Sequence, residues 1–408
     1  MESQRDEAVP RHPKQSKPQN PAHVPSISSK DSIFSMPNLP AELITEILLK
    51  LPVNSLLRFS CVSKSWLALI SSPEFVKIHL LLSASNKDYT HHGVMFEASN
   101  DNYDVKYCSL SSLLYNSVTE AFDLDYPGKN PDHFPRIVGS INGLICLVIN
   151  SFDGLPDLFL WNPSVRKYKK LRNYRLSVSR RYHEDECVDF NFGFAYDEFQ
   201  DDYKVVGIFS IYRYIHLCRI EVRIYSLKSN SWRSIDDFKG RLLLDDHSGK
   251  LVNGKLYWLD KGWNILSIDL ACEKWAEVEQ PCSFKKCGFL SLGVFRSDLS
   301  AFCNEAWTQV DIWVMKEYGV KESWAKIFTI KSPVDSTGNR FDPPILMSNE
   351  GEILIQFGSR FTKYNSKDES IKYLDVTNFA PFLEAHIYVK SLVCPFIRKG
   401  PRTQQQWS

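Results

Sequence analysis

The sequence lacks a charge imbalance. Its 408 residues carry 49 Lys and Arg against 48 Asp and Glu, a formal net charge of +1. A nucleic-acid binder displays a basic excess, so no nucleic-acid partner is expected. Long apolar runs are missing too. The stretch Ile141–Ile149 falls far short of the ~20 residues that span a bilayer, so no membrane association is expected. Residues 1–35 hold no apolar segment of the kind a secretory signal needs. They are rich in Pro, Ser, Lys and His, which predicts a disordered N-terminal segment, and 397–408 reads as a flexible tail.

Catalytic signatures are absent or incomplete. There is no G-x-S-x-G elbow. Gly249 to Leu256 approaches a P-loop, but Leu256 stands where the Mg²⁺-binding hydroxyl belongs, and Asn253-Gly254 makes a hairpin rather than opening a helix. His183-Glu184-Asp185-Glu186-Cys187 lacks the second His of a zincin helix. Ten cysteines are scattered, mostly in apolar runs, which predicts reduced, buried thiols in the cytosol or nucleus. Cys282 and Cys287 form a lone pair, too few ligands for a structural zinc site. The basic stretch with Arg172, Arg175, Arg180 and Arg181 reads as a solvated loop. No catalytic residue, metal or cofactor is expected.

What is present divides the chain in two. Residues 39–80 follow a helical period. Pro40 suits a helix start, and Glu42 favours the positive end of the helix dipole. Leu43, Ile44, Ile47, Leu48 and Leu51 then share one face. Pro52 biases Leu51 out of the helix. Asn54 or Ser55 is placed to cap a second short helix carrying Leu56, Leu57 and Phe59. A third carries Val62, Trp66, Leu69 and Ile70 and ends at Ser71-Ser72-Pro73. Helices this short are marginal without packing partners. Either the module packs on the rest of the chain, or another protein completes its apolar face.

From residue 94 onward the period becomes that of strands, as the 13% aromatic content suggests. A unit recurs: an apolar strand, a polar turn, then a strand opened by an aromatic or branched anchor. The anchors Trp161 and Tyr168, Tyr225 and Trp232, Ile268 and Trp275, and Tyr364 and Ile371 are each seven residues apart, while Trp313 to Trp324 has a longer turn. Hairpins at Asn142-Gly143, Asn253-Gly254 and Asn349-Glu350-Gly351 precede three of these units. Repeats of about 40–50 residues with four strands each predict a β-propeller of about six blades. His386–Pro395 is placed to pair back with an early strand and close the ring.

The run from Leu39-Pro40 through Leu51-Pro52 to Val62-Ser63-Lys64-Ser65-Trp66 resembles the F-box, with Ser63 where members often carry cysteine. The remainder, through Trp161-Asn162-Pro163-Ser164, Gly193-Phe194-Ala195-Tyr196-Asp197 and Asp202-Tyr203-Lys204-Val205-Val206, resembles the F-box-associated domain of plant F-box/kelch-like proteins, including defence regulators and pollen S-locus proteins. Kelch repeats carry paired glycines, and this chain has no Gly-Gly, so the likeness is to kelch-like blades. The resemblance implies a mostly β protein: a three-helix F-box at 36–82, then a propeller-like substrate-recognition domain at 94–396. It implies a non-catalytic, cytoplasmic or nuclear subunit of an SCF-type ubiquitin ligase that binds a Skp1-like adaptor, and through it cullin, and recruits a protein target. The residues it assigns to the adaptor contact are Leu39, Pro40, Leu43, Ile47, Leu48, Leu51, Pro52, Leu56, Leu57, Val62 and Trp66, with Leu39, Pro40 and Leu43 favoured. The target's contacts stay unassigned. A propeller lectin or enzyme, and an F-box scaffold outside the ligase, are the alternatives.

Overall fold

In the computed structural model, residues 39–396 are described except 99–102, 152–154, 175, 177–185, 215, 236–237, 239–247, 282–283, 285–286, 306–308, 332–342, 344, 358–359 and 380–381. The expected N-terminal segment and tail, and Arg175, Arg180, Arg181, His183 and Cys282, lie outside these residues.

Four helices come first: α1 (Ala41–Leu49), α2 (Val53–Phe59), α3 (Lys64–Ile70) and α4 (Pro73–Ala84). The Pro40 carbonyl accepts the first α1 bond, from the Ile44 N–H at 3.1 Å. The expected cap of α2 is corrected. Pro52 takes the N-cap position, with no side-chain cap, and Asn54 and Ser55 lie in the first turn. Val62 precedes α3 rather than riding on it, and Ser63 caps that helix, its Oγ accepting from the Trp66 N–H at 3.1 Å. The three-helix expectation also missed α4. Ser72 caps it and Pro73 occupies its first turn, where a missing N–H costs nothing.

The strands are β1 (His92–Ala98), β2 (Asp104–Ser109) and, after the short helix α5 (Leu110–Tyr115), β3 (Val118–Asp123). Then follow β4 (Phe134–Ile141), β5 (Leu144–Asn150), β6 (Asp157–Asn162), β7 (Lys167–Lys170), β8 (Glu186–Asp197), β9 (Asp202–Arg213), β10 (His216–Ser226) and β11 (Ser231–Ile235). Next are β12 (Lys250–Val252), β13 (Lys255–Leu259), β14 (Ile265–Asp269), β15 (Trp275–Val278), β16 (Phe289–Phe295), β17 (Asp298–Glu305), β18 (Gln309–Met315) and β19 (Trp324–Lys331). The last are β20 (Leu346–Met347), β21 (Glu352–Phe357), β22 (Arg360–Asn365), β23 (Ile371–Tyr373), β24 (Asp375–Thr377) and β25 (Phe382–Val389).

They form six sheets, the blades of a propeller. Five blades use four consecutive strands, and the remaining one is ordered β24-β3-β2-β1-β25. The C-terminal β25 pairs antiparallel with β1, His92 opposite Val389, and so closes the ring. In the four seven-residue units the anchors sit directly opposite each other: Trp161 with Tyr168, Tyr225 with Trp232, Ile268 with Trp275, Tyr364 with Ile371. The fifth differs. Trp324 pairs with Met315, because a 3-10 turn at Lys321–Ser323 lengthens the connection. Asn142-Gly143 and Asn253-Gly254 adopt the paired positive φ of a type I′ turn.

Apolar residues are buried on both faces of the blades, which explains unbroken runs such as Leu144–Ile149. The core is not central. It is a ring of six clusters, each between neighbouring blades: Phe194 and Val148 in one, Trp258 and Ile224 in the next, Phe96 and Phe361 where the last blade meets the first. Trp258 shows the local logic. Its ring lies so close to Gly193 and Gly249 that an added Cβ would come within 2.6 and 2.5 Å of it. The glycine that gave Gly249–Leu256 its P-loop appearance therefore serves packing. Two thiol expectations are corrected. Cys287 and Cys303 are joined as a disulfide, and Cys61, Cys187, Cys218 and Cys272 are exposed.

Candidate docking surfaces

The eleven residues expected at an adaptor contact separate by burial. Leu39, Leu43, Ile47 and Val62 are 55, 45, 51 and 65% exposed, although all are large and apolar. Pro40 and Pro52 are exposed, and Leu51, Leu57 and Trp66 are half-buried. Leu48 and Leu56 are buried to within 1%. Those two belong to the core, since a side chain with no surface has none to offer a partner. Trp66 of α3 packs edge-on against Phe59 of α2 with ring centroids 5.5 Å apart. Four more exposed apolar residues, Leu67, Ile78, Leu81 and Leu82, were not anticipated, three of them because α4 was not.

The described residues from Thr45 onward form one compact unit, to which α2, α3 and α4 belong together with the propeller. The imidazole of His79, buried in α4, meets the Leu51 carbonyl at 2.9 Å through Nε2. The Asn349 amide donates to the Lys87 carbonyl at 2.8 Å. Burial depresses the basicity of His79, His91 and His92 along this junction, and charged neighbours depress His91 and His92 further.

On the propeller, five ionisable groups from four strands meet: Glu97 on β1, Arg136 on β4, Lys250 on β12, and Glu384 and His386 on β25. Desolvation, then repulsion from Glu384, pushes Glu97 up to about 8, against the Ile137 N–H that donates to it at 2.5 Å. Burial also disfavours charge on Glu384, but the Lys250 ammonium, 2.8 Å away, and its neighbours hold that carboxyl down at about 2. Burial lowers His386 to about 4. Nothing in the sequence period announces this cluster, because its members come from four strands scattered along the chain.

The rim offers two further features. Phe199, 91% exposed, sits on the β8–β9 turn. The turn is braced from beneath: Asp197 Oδ1 accepts from the Phe199 and Gln200 N–H groups at 3.0 Å, and Oδ2 accepts from Lys204 at 2.7 Å. A cavity of about 1000 Å³ is lined by Arg172, Tyr174, Arg223 and Trp232, among others. The described tryptophans are all at least half-buried, and the most exposed of the described aromatic side chains are Phe199 and Tyr214, the latter 67% exposed.

Comparison with known proteins agrees with this division. Residues 36–78 match the F-box domain, and residues 104–394 match the F-box associated beta propeller domain. An F-box/kelch-repeat protein of Arabidopsis thaliana is 33% identical over 374 residues, covering 89% of this chain and 97% of that protein. F-box protein CPR1 of the same plant is 28% identical over 385 residues, covering 88% of this chain and 89% of its own. Among solved structures, TolB from Acinetobacter baumannii superposes with a TM-score of 0.45 at 9% identity, over 77% of this chain and 71% of that one.

Proposed function

Because the chain belongs to the F-box proteins that carry an F-box associated β-propeller, we propose that it is the substrate-recognition subunit of an SCF-type ubiquitin ligase in the cytoplasm or nucleus. The helical module docks a Skp1-like adaptor, which connects it to cullin. The propeller holds a protein target for ubiquitination and degradation. The observation that carries the reading is the apolar exposure of Leu39, Leu43, Ile47 and Val62. A module this small is expected to hide such residues, and burying each contributes roughly 1.5–3 kcal/mol. Leu39, Pro40 and Leu43, at the start of the motif, are the anchors assigned to this contact, and Leu48 and Leu56 hold the helices that present them. The chain supplies no bond-breaking group in this scheme. Its contribution is proximity, which raises the effective concentration of target lysines near a charged conjugating enzyme. Phe199 on its braced turn is the first candidate anchor for the target, since a pre-ordered aromatic loses little entropy on binding.

The test is reconstitution from purified chain, Skp1-like adaptor and cullin. Co-elution of all three supports the ligase subunit. Adaptor without cullin would leave an F-box scaffold acting outside the ligase.

A further inference from the structure

A second, smaller cleft lies where α2 faces the β6–β7 turn. It encloses about 350 Å³ and is lined by Asn54, Leu57, Arg58, Ser164, Val165 and Arg166. None of the six is acidic, and two are arginines, one from each wall. A guanidinium is a permanent cation with a planar fork of donors. Neither Arg58 nor Arg166 has a carboxylate partner among the described residues. Two like charges facing one cleft repel, and an anion between them reverses the sign of that interaction.

The turn that carries Arg166 is fixed before any ligand arrives. Ser164 N–H donates to Asn162 Oδ1 at 2.9 Å and to the Tyr388 hydroxyl at 3.1 Å. The fully buried Asn162 is itself tied to the Ser391 and Val393 carbonyls, at 3.1 and 2.8 Å. Arg166 is held at φ 52°, a left-handed conformation that a non-glycine residue adopts at a cost, and its N–H bonds back to Pro163 at 3.2 Å. Its side chain is therefore launched from a fixed point, and Asn54 adds an amide donor across the gap.

We propose that this cleft binds a phosphoryl dianion, held by forked hydrogen bonds from Arg58 and Arg166. Charge-assisted, two-pronged contacts of this kind are the strong and directional ones. The bound group bridges α2 to the propeller and so stiffens the junction between the docking module and the target-holding ring. Its source is either a free polyphosphate or a phosphorylated side chain of a bound protein.

The experiment uses the full-length chain and two probes at constant ionic strength, inorganic pyrophosphate and N-acetyl-phosphoserine amide, measured by isothermal titration and by shift of the melting temperature. Saturable binding of either probe is expected, weakened tenfold or more in the Arg58→Ala, Arg166→Ala double variant and unchanged in Arg360→Ala, an exposed arginine outside the cleft. Pyrophosphate binding alone identifies a free polyphosphate as the source, and phosphoserine binding alone a modified protein. Arg166→Gly, which removes the charge while relieving the left-handed backbone, should lose binding without loss of fold. No saturable binding by either probe, or equal binding by the double variant, overturns the proposal.

Discussion

Replacing Lys204 by Met tests how the blades are braced. Lys204 and Asp197 are paired at 2.7 Å with side chains only 3 and 4% exposed, and the ammonium also donates to the Leu270 carbonyl of the next blade at 3.1 Å. Met keeps most of the hydrocarbon stem and deletes the charge. Asp197 is then left buried with two backbone N–H bonds and no cation. Breaking one side of a buried pair costs about 3–5 kcal/mol, and the two surviving bonds place the expected loss near the low end, about 3 kcal/mol. The double variant Lys204→Met, Asp197→Asn removes both charges and should recover roughly 1–2 kcal/mol of that loss, a coupling that a double-mutant cycle isolates. Urea denaturation at pH 7 provides the assay through the shift in midpoint at constant slope. Burial opposes the Asp197 charge, but Lys204 and the turn N–H groups outweigh it and hold the carboxyl below its usual range. The pair's contribution is thus present above the unfolded pKa of about 3.8 and is lost as pH falls through the lower folded value. The Lys204→Met deficit should shrink there. A loss under ~1 kcal/mol, or additive losses in the double variant, would refute the argument.

Other outcomes follow from the same structure. Glu97 has its folded pKa raised from 4.5 to about 8, so its favourable contribution is complete below pH 4.5, declines as pH rises and is gone above pH 8. Glu97→Gln should match wild type at pH 5 and exceed it at pH 9 by several kcal/mol, on the order of 5 at most; an equal difference at both values contradicts the shift. Gly249→Ala forces a Cβ into the Trp258 ring and should cost about 1–3 kcal/mol by melting temperature, and Trp258→Phe in the same chain should return part of it. Tyr388→Phe removes the hydroxyl that meets Ser164 and Asn162 where the ring closes, and should cost about 1–3 kcal/mol in the same assay; no loss would mean the network does not brace that seam.

Much of the architecture was legible because its signals are local. A seven-residue spacing between anchors is a hairpin with both anchors in register, and four units carry it. Trp313 and Trp324 obey the pattern less well because a 3-10 turn intervenes. Helix α4 escaped notice because Pro73 ends one helix and opens the next, and a proline looks alike in both positions. The ionisable cluster around Glu97 and the Cys287–Cys303 bond escaped for a different reason. The cluster depends on which distant strands become neighbours, and the bond on the register of the β16–β17 hairpin, and no periodicity encodes either. At the docking helices, sequence reasoning found the apolar face but could not divide it: whether Leu48 or Ile47 points outward depends on a rotation of one residue, which packing decides.

The central claim is that the exposed start of the helical module is the adaptor contact. The measurement is the affinity of the full-length chain for a Skp1-like protein, compared with the Leu39→Ala, Pro40→Ala variant. Each truncated anchor is worth roughly 1–2 kcal/mol, so the account predicts at least a thirtyfold weakening with the propeller's melting temperature unchanged. Equal affinity for wild type and variant would contradict it, and the adaptor would have to dock elsewhere or not at all.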